Sequence, residues 1–282
     1  MPRPTERKKV TVLCLAQRKG RGEKIVAVTA YDHPTARIAD EAGVDLILVG
    51  DSLGMVVQGN PTTLTVTLDQ MIYHTAMVAR AQPRALVVTD MPFGTYHMSP
   101  AQGVESAIRL VREGGAEAVK LEGGRKRLPV IEAILAAEIP VIAHLGLTPQ
   151  SIHALGGFRV QGKLKEKARE LCEDALLLER AGVSAIVLES IPAEVAEHIT
   201  ARLTVPTIGI GAGKGCDGQI LVFHDLLGLG GETTPRFVRR YADLAEAART
   251  ALRRYGEEVD RGEFPGEGET THLQGEGEEF FS

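Results

Sequence analysis

The chain has 282 residues, 44% of them hydrophobic and 24% charged, with a formal net charge of −5. This balance suits a globular protein with a sizeable core, organised as one large domain or two small ones. Charges of both signs are interspersed along most of the chain, so no basic stripe marks a nucleic-acid partner and none is expected. Cys14, Cys172 and Cys216 are the three cysteines and form no CxxC pair. A disulfide framework and a zinc site are therefore not expected, and a reducing, cytoplasmic setting is. No apolar run reaches the about 18–20 residues of a membrane span, so no membrane partner is expected either.

Near the N-terminus, KKVTVLCLAQRKG joins basic residues to a short apolar stretch. The stretch is at the short limit for a secretory leader and lacks a small-residue cleavage pattern after it, so it reads as a short amphipathic helix. Beyond it, β-branched runs alternate with helical stretches. The strand candidates are KIVAVTAY (24–31), DLILVGD (45–51), ALVVTDMP (85–92), AVKLEGG (118–124), PVIAHLG (140–146), SAIVLES (184–190), PTIGIGAG (206–213) and GQILVFHD (218–225). Most lack polar alternation, as strands covered on both faces of a parallel sheet do.

Three of the intervening helices carry terminal signals. PTARIADEAG runs into Gly43, TLDQMIYHTAMVARA can be capped by Thr67, and SPAQGVESAIRLVREGG opens with Pro100 at its first position. The stretches 126–138, 165–181, 192–201 and 235–254 have similar periodicity. Only the link between the last two strands is too short for a regular helix. Eight βα-like units predict an α/β fold, a closed (β/α)8 TIM barrel spanning residues 1–255 as one domain, rather than an open doubly wound sheet. The absence of a GxGxxG after an early strand weakens the dinucleotide-binding alternative. From Gly256 the chain becomes rich in Gly and Glu, and residues 256–282 read as an acidic, mobile tail.

Several strand candidates stop on an acid: LILVGD on Asp51, LVVTD on Asp90, VKLE on Glu122 and AIVLE on Glu189. In a (β/α)8 barrel the active site lies at the C-terminal strand ends, so closure would gather these acids around one mouth. Taken singly, each acid could as well cap the following helix. Together they would repel one another unless a cation joins them, and hard oxygen donors without cysteine suit Mg²⁺. Lys120, two residues before Glu122, shares its strand face. It could form a Schiff base, pair with Glu122, or serve as a fixed positive charge for an anionic substrate. His144 and Tyr31 close strand candidates five and one. His144 reads equally as a ligand-facing donor or a core histidine. The glycines of GIGAG could cradle a phosphate or simply permit close approach.

In order along the chain, VGDSLGMVVQG, YHTAMVARA, TDMPFGTY, VKLEGG, HLGLTPQS, GGFRVQGK and GIGAGKGCDGQILVFHD resemble the ketopantoate (3-methyl-2-oxobutanoate) hydroxymethyltransferase family over roughly residues 10–268. The resemblance implies a barrel of the phosphoenolpyruvate mutase/isocitrate lyase type, assembled as a homodecamer. It implies transfer of a hydroxymethyl group from 5,10-methylenetetrahydrofolate to 3-methyl-2-oxobutanoate by Mg²⁺-stabilised enolate chemistry, giving 2-dehydropantoate for pantothenate and coenzyme A synthesis. On the matching positions, Asp51 and Asp90 are the Mg²⁺ carboxylates and Glu122 completes the metal environment through water. Asp51, Ser52, Asp90 and Lys120 face the 2-oxo acid substrate, and Glu189 is the catalytic base. The chain departs from the family pattern at His33, where an aromatic residue is expected, at GGRKR after LEGG, and in its extended C-terminus. Two other classes compete: a C–C lyase of the same metal-enolate type, which would carry a catalytic loop such as KKCGH, and a non-catalytic barrel, which would have lost some of the acids.

Overall fold

The computed structural model describes residues 8–230 and 234–273. Eight parallel strands pair in chain order and the last closes on the first, giving the expected barrel. They are β1 (Ile25–Thr29), β2 (Leu46–Val49), β3 (Leu86–Asp90), β4 (Ala118–Glu122), β5 (Val141–Gly146), β6 (Ala185–Glu189), β7 (Thr207–Ile210) and β8 (Gly218–Leu221). Each is shorter than its apolar run in the sequence, because the run continues into the loop that leaves the barrel.

Alternation along the strands divides the core in two. Ile25, Leu46, Leu48, Leu86, Val88, Ile142, Val187 and Ile208 pack together inside the barrel. Their neighbours Ile47, Val87, Val119, Val141, Ile186 and Leu188 face outward under the helices. Both faces are apolar, which explains the unbroken runs.

Helix α1 (Val12–Gly20) seals the N-terminal end of the barrel. Its Leu15 enters the interior cluster, Arg18 reaches Asp45 at 2.7 Å, and Lys19 reaches Asp217 at 2.9 Å. The outer layer then begins with α2 (His33–Ala42), the short α3 (Leu53–Val56) and α4 (Leu68–Arg80). As expected, the Thr67 side chain accepts from the Gln70 amide, and Gln70 returns the bond to Thr67, a reciprocal cap. Next comes α5 (Pro100–Arg112), with Pro100 at its start and Ser99 capping it. The stretch expected as one helix over 126–138 is divided into a 3₁₀ turn, Arg125–Arg127, and α6 (Leu128–Ala136). Pro129 lies in the first turn of α6, where its missing N–H is not needed.

After β5 come a 3₁₀ turn, Pro149–Ser151, and the short α7 (Ile152–Leu155); α8 (Lys165–Ala181) and α9 (Ala193–Arg202) follow the expected ranges closely. No helix separates β7 from β8. Beyond β8 the reading needs correction. Instead of a helix over 235–254, the chain forms α10 (Phe223–Leu227), then turns, then α11 (Leu244–Asp260). Asp243 caps α11 by accepting from the Glu246 amide. The boundary expected at Gly256 therefore falls inside a helix. One glycine costs a helix about 1 kcal/mol, and the pair Arg254–Glu258 spans the position. Of the expected tail, residues 274–282 lie outside the described residues. Among the described residues no helix is long and apolar enough to cross a membrane.

Candidate active site

Strand parity decides which side chains enter the barrel. Leu86, Val88 and Asp90 share one face of β3; Ala118, Lys120 and Glu122 share one face of β4; Ala185, Val187 and Glu189 share one face of β6. In each case the first members belong to the interior cluster, so the polar members lie above it at the C-terminal end. Parallel register then sets Asp90 beside Lys120 and Glu122 beside His144. Asp51 lies two residues beyond β2, in the turn that starts α3, and its amide donates to Asp90 Oδ2 at 3.1 Å.

The result is a cavity of about 840 Å³ whose lining includes Asp51, Ser52, Asp90, Lys120, Glu122 and Glu189. Every site residue expected from the sequence thus opens onto one space. Asp51, Asp90, Lys120 and Glu122 are each buried. Ser52 is held by Tyr31, whose hydroxyl lies 2.8 Å from Ser52 Oγ. His33, one of the departures from the family pattern, is exposed at the start of α2 and does not line the cavity.

Electrostatics here are dominated by burial of like charges. Burial, with the charges of Asp90 and Glu122, pushes the Asp51 carboxyl well above the usual range. Burial also raises Asp90, against the pull of Lys120. Lys120 Nζ pairs with Asp90 Oδ1 at 2.7 Å. Burial would lower its pKa, but Asp90, Glu122 and Asp51 outweigh burial and hold it above the usual lysine range. The pairing with Asp90, rather than with Glu122, is the contact the structure gives this lysine.

His144, left open by the sequence, belongs to the site. Its Nδ1 lies 3.4 Å from Lys120 Nζ and 3.6 Å from Glu122 Oε1, and its Nε2 lies 3.2 Å from Glu189 Oε2. Burial and Lys120 push the imidazole pKa down; Glu122 and Glu189 outweigh them and lift it to about 9.

The donor set fits a hard divalent cation. Three buried carboxylates with one lysine leave uncompensated negative charge, and all the donors are oxygen. Among the described residues no group of three His, Cys, Asp or Glu side chains is gathered so as to hold an ion alone. Mg²⁺ takes one or two carboxylates and completes its shell with water and substrate.

The glycines of GIGAG are filled by protein. A Cβ on Gly209 would lie 2.9 Å from Cys216 Sγ, on Gly211 2.8 Å from the Phe237 ring, and on Gly213 2.5 Å from Ala193 Cβ. They permit close packing rather than cradle a phosphate. None of the three cysteines lines the cavity.

The family model for ketopantoate hydroxymethyltransferase matches residues 9–267. The chain belongs to this family. It is 56% identical over 260 residues to the 3-methyl-2-oxobutanoate hydroxymethyltransferase of Moorella thermoacetica, covering 92% of this chain and 97% of that one. It is 57% identical over 261 residues to the enzyme of the same name from Ignicoccus hospitalis, covering 93% and 98%. Among solved structures, 2,3-dimethylmalate lyase, a PEP mutase/isocitrate lyase superfamily member, aligns with TM-score 0.56 at 20% identity over 92% of this chain and 91% of that one. A phosphonopyruvate hydrolase complex with oxalate and Mg²⁺ aligns with TM-score 0.59 at 15% identity over 94% and 92%. These likenesses bear on the fold alone, a closed (β/α)8 barrel.

Two residues of the family member's site were not singled out from the sequence. Gln150, in HLGLTPQS, hydrogen-bonds to Asp51, and Tyr96, in TDMPFGTY, hydrogen-bonds to Gln150. Their only sequence signal is position, since both follow strand ends at the mouth of the barrel.

Backbone constraints aim Glu189. Its carbonyl accepts from the Leu147 amide at 2.8 Å, and the next residue, Ser190, holds φ 47°. Across the gap, Gly146 has φ 97°, and a Cβ there would lie 2.1 Å from the Glu189 carbonyl oxygen. Gly146→Ala is therefore expected to destabilise the protein by about 1–3 kcal/mol or more through strain at this position. It should also lower turnover by displacing Glu189 while Mg²⁺ binding persists. Urea unfolding and calorimetric metal titration check the two halves.

Proposed function

We propose that this protein transfers a hydroxymethyl group from 5,10-methylenetetrahydrofolate to C3 of 3-methyl-2-oxobutanoate, forming 2-dehydropantoate in pantothenate (coenzyme A) biosynthesis. Membership of the family and the names of its relatives support the reaction. The observation that carries the division of labour is accessibility. Glu189 opens onto the same cavity as Asp51 and Asp90, yet its side chain is 15% exposed against 5% for Asp90.

On this reading Asp51 and Asp90 hold Mg²⁺, with Glu122 completing its environment through water. Bound there, Mg²⁺ supplies Lewis acidity to the keto oxygen of the 2-oxo acid, which acidifies its C3–H. Lys120 and Ser52 orient the anionic substrate. Glu189 takes the C3 proton, and His144 Nε2, 3.2 Å from its carboxylate, donates the hydrogen bond that orients it. Net, C3 bonds to the one-carbon unit, one water supplies its hydroxyl oxygen as both carbon–nitrogen bonds to the folate break, and tetrahydrofolate leaves with one proton from that water and one from C3. The folate cosubstrate rests on the family alone. Cytoplasmic location and assembly as a homodecamer belong to the same reading. A second copy has apolar surface to cover: α11 has no buried residue, and its Leu252 and Tyr255, like Val26 on β1, are exposed.

Purified protein is expected to form 2-dehydropantoate from the two substrates with Mg²⁺, and to lose activity with EDTA. Asp51→Ala or Asp90→Ala should sharply weaken Mg²⁺ binding and leave the circular dichroism spectrum native. Full turnover after metal stripping would contradict the assignment. Glu189→Gln should lose most turnover while still binding Mg²⁺ and 3-methyl-2-oxobutanoate. Proton exchange at C3 in D₂O, followed by NMR without folate, isolates that step, and a wild-type rate in the variant would transfer the role to another residue. Light scattering is expected to report a mass near ten chains; a fully active monomer would refute the assembly.

A further inference from the structure

Gln150 is 5% exposed, and both its side-chain amide and its backbone N–H are engaged at the mouth of the barrel. Its Nε2 donates to Asp51 Oδ2 at 2.8 Å and to the Met91 carbonyl at 2.9 Å. Its Oε1 accepts from the Tyr96 hydroxyl at 2.6 Å, and its backbone amide donates to Glu122 Oε2 at 2.9 Å. Tyr96, also buried, accepts in turn from the Glu122 amide at 3.2 Å. One side chain and its amide thus tie together the segments that follow β2 and β3, the end of β4 and the turn after β5.

The polarity of these bonds is forced. An amide turned the other way would set its oxygen against the Asp51 carboxylate and the Met91 carbonyl, with no donor between them. Tyr96 prevents this, because its hydroxyl proton is directed to Oε1 while the Glu122 amide occupies its lone pair. The donor is also neutral. A lysine or arginine in its place would hold Asp51 equally well but cancel the charge a metal needs. An amide fixes the anion and leaves that charge in place.

We propose that Gln150, locked by Tyr96, is a positioning residue that commits one oxygen each of Asp51 and Glu122, leaving the other Asp51 oxygen for a divalent cation and the other Glu122 oxygen beside His144. The inference rests on the metal reading given above and adds to it the device that arranges the carboxylates before the ion arrives. Partners of metal-ligating side chains typically change metal affinity by about 10–100-fold when lost.

The test is Mn²⁺ affinity, measured by electron paramagnetic resonance on the full-length chain without substrate. Gln150→Met keeps the length of the side chain and removes its donors; it is expected to weaken Mn²⁺ binding by about 10–100-fold. Tyr96→Phe keeps the ring and removes the lock, and is expected to weaken binding by about tenfold. A residue with only a structural role would lower the melting temperature and leave the Mn²⁺ affinity of the folded protein unchanged. Wild-type affinity in folded Gln150→Met overturns the proposal; if that variant does not fold, wild-type affinity in Tyr96→Phe does so. Asp51→Asn separates the two readings. Wild-type Mn²⁺ binding in Asp51→Asn overturns the metal assignment itself. Weak binding there, beside unchanged binding in Gln150→Met, overturns only the positioning role.

Discussion

The structure turns on keeping three carboxylates, Asp51, Asp90 and Glu122, buried beside one lysine at the end of a closed barrel. Isolated charges in such a place would be driven to neutralise, and like charges together more so. Lys120 compensates one of them through Asp90, and the remaining negative charge is what a divalent cation answers. The apolar layer below, built from Leu48, Val88, Ile142 and Val187, supports that end of the barrel from within. Stability and chemistry are therefore coupled. The interior packing that closes the barrel also withdraws the acids from water, which raises the energetic value of binding a metal there.

The same mouth holds a fourth acid apart from these three. Glu189 stands at the end of β6, more open to the cavity than Asp90, and is joined to Glu122 through the imidazole of His144. His144 connects Glu189 to the Asp51, Asp90 and Glu122 group through Glu122. Its direction comes from the backbone: the Leu147 amide, the αL conformation of Ser190 and the missing Cβ of Gly146 converge on one peptide. Strain stored in that corner persists because neighbouring strands over-determine it.

Likeness in fold reaches well beyond likeness in sequence. Solved barrels at 15–20% identity align over most of the chain, and their names describe different reactions. Function in such a family resides in the residues at the strand ends rather than in the barrel. For this chain those residues are not isolated acids but members of one hydrogen-bonded set that includes Gln150 and Tyr96.

The sequence by itself determined the barrel and which acids would share its mouth. Eight apolar runs separated by helical stretches leave few alternatives to a closed parallel sheet, and the acids at their ends share one mouth once it closes. Parity along β4 was enough to put Lys120 and Glu122 on one face. Local signals also held where they depend on adjacent residues, as with Thr67, Ser99 and Pro100 at helix starts. Local signals failed past β8, where glycine at 256 read as a break but capping and a side-chain pair carry α11 through it. Tertiary structure alone decided the pairings. That Lys120 neutralises Asp90 rather than Glu122, that His144 spans Glu122 and Glu189, and that Gln150 meets Asp51 are facts of inter-strand register and loop course. Residues 51 and 150 are far apart in the chain, and no pattern at either position encodes the other; only closing the barrel sets them 2.8 Å apart.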